Sequence, residues 1–101
     1  MDFAFYRNFI TVAETGNLSA AAKRLGIVQP ALSAQMKAIE RNYGVQLFKM
    51  QRGKRHIELT EAGETFLQQA RQLCNTEDDI SLRMQAFGRR AAGTLRFSVS
   101  H

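Results

Sequence analysis

The sequence predicts a mainly α-helical chain with one small β-hairpin, three helices before the hairpin and one long helix after it. Three observations carry this. Apolar residues recur at helical spacing in three stretches that each end at a glycine, Gly16, Gly26 and Gly44. A basic turn, Gln51-Arg52-Gly53-Lys54-Arg55, separates two short strand-like runs within residues 47–59. After Thr60, apolar positions repeat every seven residues up to Phe87. With 101 residues and 45% hydrophobic content the chain can bury one small core, which gains stability from oligomerisation.

The first helix is expected over residues 3–14. Phe3, Tyr6, Ile10 and Ala13 form one stripe, with Phe5, Phe9 and Val12 beside it, Asp2 as cap and Gly16 as stop. Ser19 is the expected cap of a two-turn second helix, Ala20 to Leu25, in which Ala21 and Ala22 permit close helix approach. The third helix starts near Gln29-Pro30 and runs to Tyr43, since proline is tolerated in a first turn whose amides have no intrahelical partner. At 100° per residue Leu32, Met36, Ile39 and Tyr43 share a buried stripe. Roughly opposite lie Pro30, Ser33, Ala34, Lys37 and Arg41, a small, polar and basic face without an acid.

In the hairpin Leu47 and Phe48 lead in, and His56-Ile57-Glu58-Leu59 alternates as a half-buried strand. Lys49, Arg52, Lys54 and Arg55 make this projection basic, either as a solvated turn or as a grip for phosphate. Thr60 then caps the long helix, with Glu61 and Glu64 at its positive end, Arg89 and Arg90 at its negative end, and Gly93 as the stop. At 1.5 Å per residue it spans ~45 Å, more than so small a domain can cover. Phe66, Leu73, Ile80 and Phe87 occupy one heptad site, and Ala70 and Met84 the other, where Glu77 interrupts. Such a stripe needs a partner, either a second copy or another domain of the same chain.

Charge and composition narrow the function. The net charge is +5, and residues 1–58 hold nine Lys/Arg against four Asp/Glu, while the remainder holds five of each. A charge serving solubility alone would be spread evenly, so the concentration favours nucleic acid. Cys74 is the single cysteine and reads as a small apolar filler, which fits a reducing cytoplasm and excludes a cysteine-rich zinc site. Neither a membrane span nor a secretion signal is seen. His56 and His101 lack a nucleophile beside them, so no enzyme, cofactor or metal site is expected. A protein–protein adaptor would explain the long helix but not the basic amino-terminal part.

Taken in order, these residues resemble the amino-terminal part of the LysR-type transcriptional regulators of bacteria. Phe9, Val12-Ala13-Glu14 and Gly16 match the family's first helix, and Ala21-Ala22 and Leu25 its second. Gln29-Pro30-Ala31-Leu32-Ser33, Ile39-Glu40, Gly44, Leu47-Phe48 and Leu59-Thr60-Glu61-Ala62-Gly63 complete a winged helix-turn-helix and linker-helix signature. The resemblance implies that Gln29, Pro30 and Ser33 lie at the major groove while the Arg52–Arg55 wing grips the backbone and adjacent minor groove. Gln29 can pair with adenine or bond another base edge, and Pro30 can touch a thymine methyl. Ala34, Lys37 and Arg41, with Arg52, Lys54 and Arg55, complete the expected DNA contacts, the cations mostly to phosphate.

The resemblance also implies a homodimer through Phe66, Ala70, Leu73, Glu77, Ile80, Met84 and Phe87, bound to an interrupted palindromic operator in double-stranded DNA. Glu77 is expected to meet Arg71 or Arg83 of the other copy. Expected divisions are a DNA-binding domain over 1–59, a linker helix over 60–92, and from 93 to 101 the first strand of a missing effector-sensing domain. That domain takes a small molecule in the family and often makes tetramers. Three positions depart from the family pattern: Val28 where Ser or Thr usually caps, Ala34 for a frequent Arg, and Met50 for a usual Arg.

Overall fold

The computed structural model describes the backbone of residues 1–49 and 56–94, with side chains up to residue 90. In chain order it holds α1 (Ala4–Thr15), α2 (Leu18–Leu25), α3 (Gln29–Tyr43), β1 (Phe48–Lys49), β2 (Glu58–Leu59) and α4 (Glu61–Thr94). The strands pair antiparallel, Phe48 opposite Leu59 and Lys49 opposite Glu58.

The glycine stops act as the sequence suggests. Gly16, Gly26 and Gly44 all take left-handed backbone angles, and Gly16 returns its amide to the Val12 carbonyl at 2.8 Å. Its own carbonyl accepts the Ile57 amide at 2.8 Å, so the end of α1 also ties down the chain entering β2. The helix starts differ more. Asp2 does accept the Ala4 amide at 3.2 Å. Asn17, not Ser19, caps α2: its side-chain oxygen accepts the Ala20 amide at 2.9 Å, and the helix begins at Leu18. Both residue types cap well, and the one that sits before the first apolar position wins.

α1, α2, α3 and the hairpin close around Phe9, Val12, Ala21, Ala22, Leu32, Met36, Ile39, Leu47 and Phe48. Phe9 is the hub, its ring centroid 5.2 Å from that of Phe48 and 4.7 Å from that of Phe66, the latter in a T-shaped pair. Hence α1 buries its Phe9–Val12 side rather than the Phe3–Tyr6–Ile10–Ala13 stripe, of which no member is fully buried. Tyr43 also departs from expectation. It lies on the exposed end of the α3 stripe, where its hydroxyl meets that of Tyr6 at 2.5 Å and its ring meets Phe66. A phenol at a helix end satisfies its hydroxyl more cheaply at the surface than in an apolar core.

Thr60 caps α4 as expected, accepting the Gly63 amide at 3.0 Å while donating to the Gln46 carbonyl at 2.6 Å. The 34-residue helix continues through Gly93 to Thr94, so Gly93 is no stop and the division expected at 93 falls inside the helix. A glycine weakens a helix interior by only about 1 kcal/mol, which one residue in so long a helix survives. Glu77 does not wait for a second copy. It accepts from Arg7 of α1 at 2.7 Å, Asp78 accepts from the same guanidinium at 2.8 Å, and Ser81 donates to Glu77 at 3.2 Å. Arg71 reaches Glu14 of α1 at 3.4 Å, and Arg83 reaches Asp79 one turn back at 2.8 Å.

Helix geometry explains the division of the stripe. A straight α-helix has 3.6 residues per turn, so a line of residues seven apart slides by about 20° each repeat. Ala70, Cys74, Glu77 and Ser81 drift to the side facing α1, whereas Leu73, Ile80 and Phe87 drift away and stand exposed with Met84. Cys74 is the buried filler expected, and burial pushes its thiol above the ordinary value against a smaller opposing pull from Arg7.

Candidate nucleic-acid interface

α3 presents its predicted outer face intact. Gln29, Pro30, Ala34, Lys37 and Arg41 are exposed and Ser33 is half-buried, while Leu32, Met36 and Ile39 hold the opposite side in the core. The one acid of α3, Glu40, is half-buried beside this face and has its carboxylate engaged. Its carboxylate accepts the Leu47 amide at 2.8 Å and the Phe48 amide at 3.3 Å, which fastens α3 to the base of the hairpin. The exposed face is left with amide and cationic donors and small apolar surfaces. That is the chemistry of phosphate oxygens and base edges.

Two side-chain bonds fix the angle at which α3 is shown. Asn8 of α1 donates to Gln35 at 2.6 Å, and Ser19 of α2 donates to the Gln29 side-chain oxygen at 2.8 Å. Close packing of α2, through buried Ala21 and Ala22, sets the spacing between them. Beside this lies an open hollow lined by Asn17, Ser19, Ala20, Lys23 and Arg24. Lys23 and Arg24 are exposed and basic, and they are absent from the residues expected to touch DNA. The wing residues Arg52, Lys54 and Arg55, and Met50, lie outside the described residues, as do 95–101. Lys49, at the described edge of the hairpin, is exposed. Among the described residues no cluster of three His, Cys, Asp or Glu is arranged to hold a metal, and no helix is long and apolar enough to cross a membrane.

Val28 precedes α3 in an extended conformation, is 68% exposed, and offers no cap to the first-turn amides. Because it packs so little, Val28→Thr is expected to add a capping acceptor at almost no cost in burial. A gain of up to about 1 kcal/mol follows. A thermal melt reads it: a lower midpoint for the threonine variant would show that the valine methyls contribute more than the cap.

Comparison with known proteins agrees with this geometry. The model of a family described as bacterial regulatory helix-turn-helix protein, lysR family, matches residues 4–64. The transcriptional regulator ClcR of Pseudomonas putida is 46% identical over 96 residues, covering 95% of this chain and 32% of ClcR. BudR of Klebsiella aerogenes is 36% identical over 100 residues, covering 99% of this chain and 68% of BudR. The chain thus spans about a third of the length of ClcR and of TcbR, a similar regulator from Pseudomonas sp. strain P51. Among solved structures, the CbnR_DBD–DNA complex superposes with a TM-score of 0.80 at 42% identity, covering 87% of this chain and 99% of that one. BenM_DBD with catB site 1 DNA gives 0.81 at 32% identity, covering 87% and 97%. From residues, fold and relatives together, the chain belongs to the lysR family of bacterial regulatory helix-turn-helix proteins.

Proposed function

We propose that this chain is the DNA-binding and dimerisation part of a sequence-specific transcriptional regulator working in the cytoplasm. The acid-free outer face of α3 carries the reading, with Glu40 turned back onto the Leu47 and Phe48 amides. The two similar structures named above were solved with DNA bound, which supports it.

In this reading each α3 of a homodimer enters a major groove of double-stranded DNA, in the two halves of an interrupted palindrome. Gln29, Pro30, Ser33 and Ala34 face base edges, and Lys37, Arg41 and the wing cations Arg52, Lys54 and Arg55 hold phosphate. The DNA-binding unit covers residues 1–59, and α4 is the linker. Pairing uses the free side of its stripe, Leu73, Ile80, Met84 and Phe87. Phe66, Ala70 and Glu77, also expected in the seam, serve mainly to bind α4 to its own domain, through Tyr6, Phe9 and Arg7. A small-molecule effector acts through a separate domain after α4, which also supports tetramers.

Binding to a duplex operator is expected to fall steeply with salt, since each neutralised phosphate releases counterions. Replacing Arg52 and Lys54 together with alanine should weaken all sequences alike and lower the slope of log K against log salt by about four, two cations being lost from each copy of the dimer. Gln29→Ala should instead relax discrimination at one position of each half-site. A wing variant that lost sequence preference at an unchanged slope would exchange these roles, and no gel shift even at low salt would end the DNA reading.

A further inference from the structure

Glutamine at the first position of α3 is chemically two-faced. Its carboxamide carries an acceptor oxygen and a donor amine, and half a turn about one bond exchanges them. Free, it suits adenine, whose major-groove edge needs one acceptor and one donor side by side. In this chain it is not free. Ser19 Oγ donates to Gln29 Oε1 at 2.8 Å, across the turn between α2 and α3.

Ser19 itself is held firmly. Asn17 caps the same helix through the Ala20 amide, and Ala21 and Ala22 are buried in the core beneath it. On the other side, Gln29 is fixed by the helix that Leu32 anchors one turn later. Freed of the α2 cap that sequence alone assigns to it, the Ser19 hydroxyl is available for Gln29.

We infer that Ser19 is a positioning residue that sets base preference: it draws the Gln29 carbonyl towards α2 and leaves the two N–H donors of Nε2 facing the groove. This rests on the DNA-binding reading above. The edge such a group reads is one of acceptors alone, best guanine with N7 and O6 and next thymine with O4. Adenine is disfavoured, because its amine would face the donor side of Gln29 with the carbonyl drawn towards α2.

The test uses the 101-residue chain and a randomised duplex pool. From the selected operator, duplexes carrying each of the four base pairs at the position that Gln29→Ala relaxes are titrated against parent, Ser19→Ala and Ser19→Thr proteins. The parent should favour guanine or thymine over adenine by about fivefold or more, as expected for one hydrogen bond gained or left unmet. Ser19→Ala should erase that preference or shift it to adenine, at an unchanged melting temperature, and Ser19→Thr should restore it. Adenine preference in the parent would show the amide reversed and overturn the inference. So would an unchanged preference in Ser19→Ala, or a uniform loss at every position with a lowered melt. A parent that selects no sequence at all would sink the DNA-binding reading itself.

Discussion

Ile80→Asp is expected to convert the proposed dimer to a monomer and to cost it about 100-fold or more in operator affinity. The side chain is 53% exposed in the single chain, on the side of α4 that turns away from α1. An aspartate there meets only water within one copy, so the helix and domain keep their structure. Leu73, Met84 and Phe87 are exposed along the same stripe, and an exposed apolar strip of this kind marks an interaction surface. Against another apolar helix the aspartate is buried without a partner, a loss of several kcal/mol per site. Once the copies separate, each half-site is bound alone, and the advantage of binding the second from the same particle, roughly 10²–10⁴, disappears. Sedimentation beside Ile80→Leu, with titration of a two-half-site operator, reads both effects. A dimeric aspartate variant would place the pairing surface elsewhere.

Gly63→Ala is expected to lower the melting temperature by roughly 8–16 °C, on the conversion of about 4–8 °C per kcal/mol for a domain of this size. In an exposed helix the change would stabilise by about 1 kcal/mol. Here Gly63 is buried in the first turn of α4, where an added Cβ would overlap the Leu47 carbonyl oxygen and stand 3.1 Å from Leu59 Cβ. That carbonyl is backbone, and it already accepts the Thr60 amide at 3.0 Å, so it cannot swing aside without losing a bond. Overpacking against fixed backbone costs about 3 kcal/mol, which outweighs the gain in helix propensity. A melt by circular dichroism checks it: an unchanged midpoint would mean that α4 can lift away from the hairpin at little cost.

The helices were legible in the sequence because glycine stops and apolar periodicity are local signals, and α3 runs from Gln29 to Tyr43 as its pattern requires. Its outer face was legible for the same reason. What escaped depends on contacts distant in the chain. Asn17 and Ser19 are equally good caps by type, and only the placement of Leu18 within α2 separates them. Glu40 reads as a family landmark, yet its use is to bind two amides seven and eight residues on. Glu77 reads as an interruption in a seam because heptads assume a supercoiled partner. In a straight helix the same position reaches Arg7, seventy residues earlier in sequence.

That reach to Arg7 has a mechanical meaning. Its two ion pairs are half-exposed and contribute little energy. They do clamp α4 near its middle, and the residues beyond Ser81 extend roughly 20 Å past the clamp. The helix is therefore a cantilever with its fulcrum at an arginine. A tilt of roughly 10° at the fulcrum moves the tip by between 3 and 4 Å, about the rise of one base pair. In the proposed dimer two such levers would join, and the clamp would then be the ruler that sets the gap between half-sites. Operators respaced by one base pair should accordingly bind the parent worse than they bind a protein without Arg7, and equal losses would show that the ruler lies elsewhere.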